Sequence, residues 1–203
     1  MSAYSPAKKI GIMGGTFDPI HFGHLRAAEE AREALSLDEV IFIPAGNPPH
    51  KEGSLASAED RYRMTVLATQ KCPYFSVSRL ETEKTGKCYT HETLKALKSQ
   101  PEYSEAEMYF IVGFDSVLDI MSWKEPEELV KLCRLAAVSR SGYPREKLAN
   151  LPKNLGEAVI PIEMPMLVIS STELRRRLTD GRSIRYLVPD EVAQYIKEKG
   201  LYV

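Results

Sequence analysis

The amino-acid sequence predicts an α/β chain built on a doubly wound, mostly parallel sheet with helices on both faces. Three observations carry that expectation. Short runs rich in β-branched and aromatic residues alternate with helical patterns along the chain. Several of those runs are continuously apolar, as strands buried on both faces of a parallel sheet are. The segments between them carry caps and apolar spacing suited to crossover helices.

Taken in order, the strand candidates are KKIGIM (8–13), EVIFIP (39–44), YFSVSRL (74–80), EMYFIVGF (107–114), RLAAVSR (134–140) and EAVIPIEM (157–164). Residues 24–35 are rich in alanine and glutamate and read as the first helix. Residues 57–69 open on a serine suited to an N-cap, and 90–97 carry apolar spacing over a shorter span. Residues 141–155, with two prolines, one glycine and several charges, read as one long irregular connection. At 203 residues, with no internal repeat or low-complexity linker, the chain suits a single domain, 1–203, of Rossmann-like type with residues 1–8 as a flexible tail. In such a sheet ligands are expected outside the carboxyl ends of the strands.

Composition narrows the function classes. Lysine and arginine total 27 against 28 aspartates and glutamates, so no global attraction to nucleic acid or anionic membrane is built in. The opening MSAYSPAKK has no signal-peptide core, and no run approaches the roughly 18 apolar residues of a membrane span. A cytoplasmic protein with no nucleic-acid or membrane partner is expected. Cys72, Cys88 and Cys133 are odd in number and far apart, which suits reduced thiols.

Two motifs carry the chemistry. In GIMGGTFDPIHFGHL, Gly14 and Gly15 turn the chain at the end of the first strand, and a helix starts between Asp18 and Phe22. Amides of such a turn and helix start bind phosphate. Neither G-x-G-x-x-G nor G-x-x-x-x-G-K-[ST] occurs there, which argues against a dinucleotide fingerprint and a P-loop. His21 and His24 share one face of the first turn, with Gly23 between them letting a flat ligand approach. The alternatives are one surface and one packed histidine, or a zinc site from His21, His24 and a third ligand, which the lack of neighbouring cysteines and the unexplained glycine turn disfavour. In VISSTELRRRLTDGR, Ser170 is an N-cap with Glu173 completing a capping box, Ile169 and Leu174 form a staple, and Gly181 closes the helix. The Ser171 and Thr172 hydroxyls and free amides make a second anion site, with Arg175 one turn in. A capped basic surface helix is the plainer alternative, and Arg176 and Arg177 read as solvated.

GGTFDPIHFGH together with ISSTELR resembles the nucleotidylyltransferase superfamily. NPPHK (47–51), CYTHETL (88–94), IVGFDSVLDIMSWKEPEEL (111–129) and the closing YLVPDEVAQYIKEKGLY are similar in order and spacing to bacterial nicotinate-nucleotide adenylyltransferases. The resemblance implies adenylyl transfer from ATP to nicotinate mononucleotide, giving deamido-NAD and pyrophosphate, with Mg²⁺ entering as the ATP complex. It implies that Gly14, Gly15, Thr16 and Phe17 line the ATP, that His21 and His24 clamp its phosphates, and that Ser170, Ser171 and Thr172 present the helix end. Arg175 would hold the β and γ phosphates, and Gly113 and Asp115 would flank adenosine. Thr90 and Trp123 would hold the nicotinate ring, with His50 and Lys51 near the mononucleotide phosphate. His91 reads as an exposed loop histidine. Cys88 and Lys124 depart from the family pattern, the second replacing an aromatic residue. The resemblance calls for no protein-held metal and leaves room for a homo-oligomer. Its rivals are pantetheine-phosphate adenylyltransferase, a class I aminoacyl-tRNA synthetase core, and a non-catalytic nucleotide sensor.

Overall fold

The computed structural model describes residues 7–46, 56–139 and 145–203. Six strands, β1 (Lys9–Gly15), β2 (Glu39–Pro44), β3 (Phe75–Val77), β4 (Glu107–Gly113), β5 (Arg134–Ser139) and β6 (Val159–Glu163), form one sheet in the order β3-β2-β1-β4-β5-β6. Every pairing is parallel. The order reverses at β1 and β4, so a crevice opens at their carboxyl ends.

Eight α-helices complete the described fold: α1 (Phe22–Leu35), α2 (Ala58–Thr69), α3 (Thr90–Lys98), α4 (Phe114–Leu118), α5 (Pro126–Leu132), α6 (Lys153–Ala158), α7 (Ser171–Thr179) and α8 (Asp190–Lys199). Strand alternation divides the core between two faces. Met13, Phe42, Ile111 and Val138 face one layer with Ala28 of α1, Met64 of α2, Leu174 of α7 and Ile196 of α8. Ile12, Ile41, Phe110 and Ala137 face the other with Leu94 of α3, Val117 of α4, Leu129 of α5 and Leu155 of α6. Among the described residues no helix is long and apolar enough to cross a membrane.

All six strand candidates form strands, but the third is cut to three residues, because its later part turns beside the sheet edge. The expected irregular connection over 141–155 is corrected in part: Arg145–Asn150 is a 3-10 turn and α6 begins at Lys153, while 141–144 lie outside the described residues. Ser57 caps α2 as its sequence suggests, accepting from the Asp60 amide at 3.0 Å. Residues 1–6 of the expected tail lie outside the described residues, whereas Lys8 already borders the sheet, its carbonyl accepting from the Glu107 amide at 2.8 Å.

Candidate active site

The turn after β1 leads to His21, the N-cap of α1, in extended backbone at φ −150°. Its amide donates to Nδ1 of His24 at 3.3 Å. The two rings stack at 3.7 Å with 21° between planes, and Phe17 meets His24 edge-on at 5.1 Å. Because His24 Nδ1 accepts, the proton of its neutral ring sits on Nε2, which becomes a donor. His21 is only 4% exposed. A Cβ at position 23 would lie 3.0 Å from the His21 ring, so Gly23 makes room for that ring as well as for a ligand.

Helix α7 completes the site from the far end of the chain. Ser170 Oγ accepts from the Glu173 amide at 3.2 Å, while the Glu173 carboxylate turns to Arg176 at 2.6 Å, so only half of the expected capping box forms. Gly181 closes the helix at φ +67°. Ser171 Oγ donates to the Pro19 carbonyl at 2.9 Å, and Arg175 Nη1 donates to the Asp18 carbonyl at 2.7 Å. The two motifs are therefore physically joined. Asp18 is buried, its carboxylate accepting from Tyr202 Oη at 2.5 Å and lying 4.0 Å from Arg175. Burial, and then the Asp18 hydrogen bond, pushes the Tyr202 hydroxyl well above the usual phenol range. Arg176 is exposed, as its reading as solvated expects, and pairs with Glu173 at the surface, whereas that reading is corrected for Arg177, which is half-buried with its Nε donating to the Ser183 carbonyl at 2.8 Å.

Two cavities flank this junction. One, of about 330 Å³, is walled by His21, Gly23, His24, Gly113 and the α7 start from Ser170 to Thr172. The other, of about 390 Å³, is walled by Gly14, Gly15, Thr16, Thr90 and Trp123, the indole standing edge-on to Phe110 at 5.9 Å. His24 and Gly113 border both. A ligand in one can thus meet a ligand in the other beside His24.

Other expected residues fall differently. Phe17, expected to line ATP, is instead buried with its ring against Gly15 and His24, and it lines neither cavity. Asp115 is exposed on α4 and stands off both cavity walls, where Ser116 lines the larger one. His50 and Lys51 lie outside the described residues. His91 is corrected from an exposed loop to a buried place in the first turn of α3, because its ring packs on the cavity wall near Glu125. Cys88 is also buried on that wall, and Lys124 lines it. Among the described residues no group of three or more His, Cys, Asp or Glu side chains could hold a metal.

Two supporting residues escape motif reading. Arg61, 1% exposed, sends its guanidinium to the carbonyls of Thr16 (2.9 Å), Gly46 (2.9 Å), Ala56 (3.3 Å) and Ala45, tying together the ends of β1 and β2. Burial pulls its pKa down, and the nearby Asp18 carboxylate is the largest influence opposing that. Its sequence signal is an arginine on the same helical stripe as Met64, Thr65 and Ala68. Glu81 lines the larger cavity and accepts from Thr93 Oγ1 at 2.7 Å, with burial raising its carboxyl pKa. A Cβ on Gly46 would lie 2.0 Å from the Glu81 carbonyl, so only glycine fits there.

Comparison with known proteins accords with this geometry. A family model described as cytidylyltransferase-like matches residues 12–177. The chain is 49% identical over 194 residues to a probable nicotinate-nucleotide adenylyltransferase of Thermus thermophilus, covering 96% of this chain and 99% of that one. It is 45% identical over 200 residues to a protein of the same name from Thermoanaerobacter sp., covering 96% and 94%. The solved structure of Plasmodium falciparum nicotinic acid mononucleotide adenylyltransferase complexed with NaAD superposes with a TM-score of 0.78 at 25% identity, covering 96% of this chain and 97% of that one.

Proposed function

Because the chain belongs to the nicotinate-nucleotide adenylyltransferases of the cytidylyltransferase-like family, we propose that it transfers the adenylyl group of ATP to nicotinate mononucleotide. Deamido-NAD and pyrophosphate are the products, and the reaction belongs to NAD biosynthesis in the cytoplasm. The single observation carrying the reading is the pair of cavities that meet at His24.

The nucleophile is the 5′-phosphate of the mononucleotide, whose second pKa near ~6 leaves it largely dianionic at neutral pH. It needs no general base. An oxygen of that phosphate bonds to the α-phosphorus of ATP as the bond to the β-bridging oxygen breaks, and the electron pair leaves with pyrophosphate. Positioning and charge neutralisation carry the catalysis. In this reading His21 and His24 donate to phosphoryl oxygens, and the amides and hydroxyls at Ser170, Ser171 and Thr172 meet the leaving group. Arg175 keeps Nη1 on the Asp18 carbonyl and turns its remaining N–H groups to the β and γ phosphates. Gly14, Gly15 and Thr16 are assigned to ATP and would meet it with backbone groups from the wall of the larger cavity. Gly113 borders adenosine with Asp115 nearby, and His50 and Lys51 serve the mononucleotide phosphate. ATP enters as its Mg²⁺ complex, held through phosphate oxygens and water, since no acidic cluster among the described residues competes for the ion.

Thr90 and Trp123 are assigned to the pyridine ring. Amides beside Thr90 and Lys124 that meet a carboxylate would be left facing the NH₂ of a carboxamide, so the acid is favoured over the amide by roughly 10³ in kcat/KM. Pyrophosphate release with nicotinate mononucleotide, nicotinamide mononucleotide and phosphopantetheine, assayed side by side, tests this. Equal use of acid and amide would remove the carboxylate argument, and reaction of phosphopantetheine alone would remove the acceptor assignment.

A further inference from the structure

The larger cavity is closed by two short segments far apart in sequence, residues 89–92 at the start of α3 and residues 123–125 ahead of α5. They are joined side chain to side chain in three places. Lys124 Nζ lies 4.1 Å from the centre of the Tyr89 ring and 3.4 Å from Glu92 Oε1. His91 Nε2 lies 3.4 Å from Glu125 Oε2. Glu92 is held from behind as well, its other oxygen 2.7 Å from Lys84. Glu125 adopts left-handed backbone at φ 52°, ψ 57°, a conformation costly for a residue with a Cβ and kept only where surroundings hold it. Tyr89, Thr90, His91, Trp123 and Lys124 line the cavity, whereas Glu92 and Glu125 stand behind its wall.

We propose that these contacts form a polar strap that sets the gap between the Thr90 helix start and the Trp123 ring, making His91, Lys124 and Glu125 positioning residues for the mononucleotide acceptor. The proposal rests on the acceptor reading given above. A flat ring held between an indole and a helix start needs both at a fixed separation. Where the strap supplies that separation in advance, binding does not have to order two segments at once. The Lys124 charge reaches the Tyr89 face and the Glu92 carboxylate together, so one cation joins the two segments. The smaller cavity, walled by the His21, His24 and Ser170–Thr172 groups assigned to the ATP phosphates, includes none of the strap residues, so that phosphate grip is not tied to the strap.

Trp123 is the only tryptophan in the chain, so its emission reports on the strapped site alone. The full chain is titrated with nicotinate mononucleotide while that emission is followed, and KM is measured for both substrates. Lys124→Met and Glu125→Ala are each expected to weaken mononucleotide binding roughly threefold to tenfold, the scale of one exposed ion pair or cation–π contact. The ATP KM should stay within about twofold. Lys124→Arg should restore binding, because it keeps both charge and reach. His91→Ala combined with Glu125→Ala should be no worse than the more harmful single change, as expected of two partners in one contact. Lys124 and Glu125 are 44% and 50% exposed, so their single changes do not put folding at stake, and circular dichroism checks the fold of the variants that change the buried His91. Variants that bind the mononucleotide like the wild type overturn the strap alone. So does a parallel rise in both KM values, which would mark a general loosening. A wild-type chain that neither binds nor adenylylates the mononucleotide overturns the acceptor reading and the strap with it.

Discussion

Arg61→Met should be the most damaging substitution outside the substrate-facing residues. The wild-type guanidinium is 1% exposed and donates to four carbonyls on three segments: Thr16 after β1, Ala45 and Gly46 after β2, and Ala56 before α2. Hydrogen bonds from a charged donor contribute about 1.5–3 kcal/mol each, but four on one group do not add. Removing the donor also strands carbonyls that water cannot easily reach. A net loss of about 3–5 kcal/mol is the scale for breaking a buried charged network. For a chain of this size each kcal/mol moves Tm by about 2–4 °C, so the midpoint should fall by roughly 6–20 °C. Arg61→Lys keeps the charge but has one nitrogen centre and should recover only part of the loss. Thermal unfolding followed by circular dichroism measures both variants. Since the same carbonyls shape the larger cavity, KM for the mononucleotide should rise in whatever fraction of Arg61→Lys stays folded. A Tm within about 3 °C of wild type for Arg61→Met would show that the clamp does not hold the two strand ends together.

Three further expectations follow from the site. His21→Ala and His24→Ala should each lower turnover by roughly 10², the scale for one preorganised donor to a developing charge, and near-normal turnover in either contradicts its role as a clamp. Arg175→Lys should impair turnover because a point charge cannot both hold the Asp18 carbonyl and fork onto two phosphate oxygens, while Arg177→Ala should lose only its exposed Ser183 contact; equal kinetic effects would refute the distinction. Glu81 has a folded pKa raised by burial, so its protonated form is favoured in the folded state and its contribution to stability falls as pH rises from about 4.5 through that raised value. Glu81→Gln should remove this fall, so that the urea midpoint of wild type minus variant declines with pH over that window; a flat difference would mean that the carboxyl titrates alike in both states.

Much of the fold was legible because it rests on local signals. Continuous apolar runs such as EVIFIP mark strands covered on both faces, and β2 is buried along nearly its whole length. The serine caps at Ser57 and Ser170 act as their positions suggest. Illegible were features decided by distant partners. His91 has the local look of a polar residue in a turn-rich stretch, yet it is buried, with Glu125 from a distant segment 3.4 Å from its Nε2. Arg177 looks like one more basic surface residue until the chain returns at Ser183. Glu173 has the spacing of a capping box, yet Arg176 and Arg182 offer its carboxylate charged partners that the helix start lacks.

The site follows the same division, and the reason lies in the sheet order. The glycine turn after β1 and the start of α7 are each readable as anion sites from a few neighbouring residues, but nothing local says that they share one anion. The sheet decides that. With β4, β5 and β6 all added on one side of β1, the chain leaving β6 must cross back over the carboxyl edge before α7 can pack on the same face as α1. It is this return that brings Ser171 to the Pro19 carbonyl and Arg175 to the Asp18 carbonyl. The C-terminal Tyr202 then closes the arrangement by donating to the Asp18 carboxylate. Asp18 is thus the point where the first turn, the late helix and the end of the chain meet. Its contacts explain why the motif needs an acid at a position that lines neither cavity: the carboxylate fixes Tyr202, and the adjoining carbonyl aims Arg175.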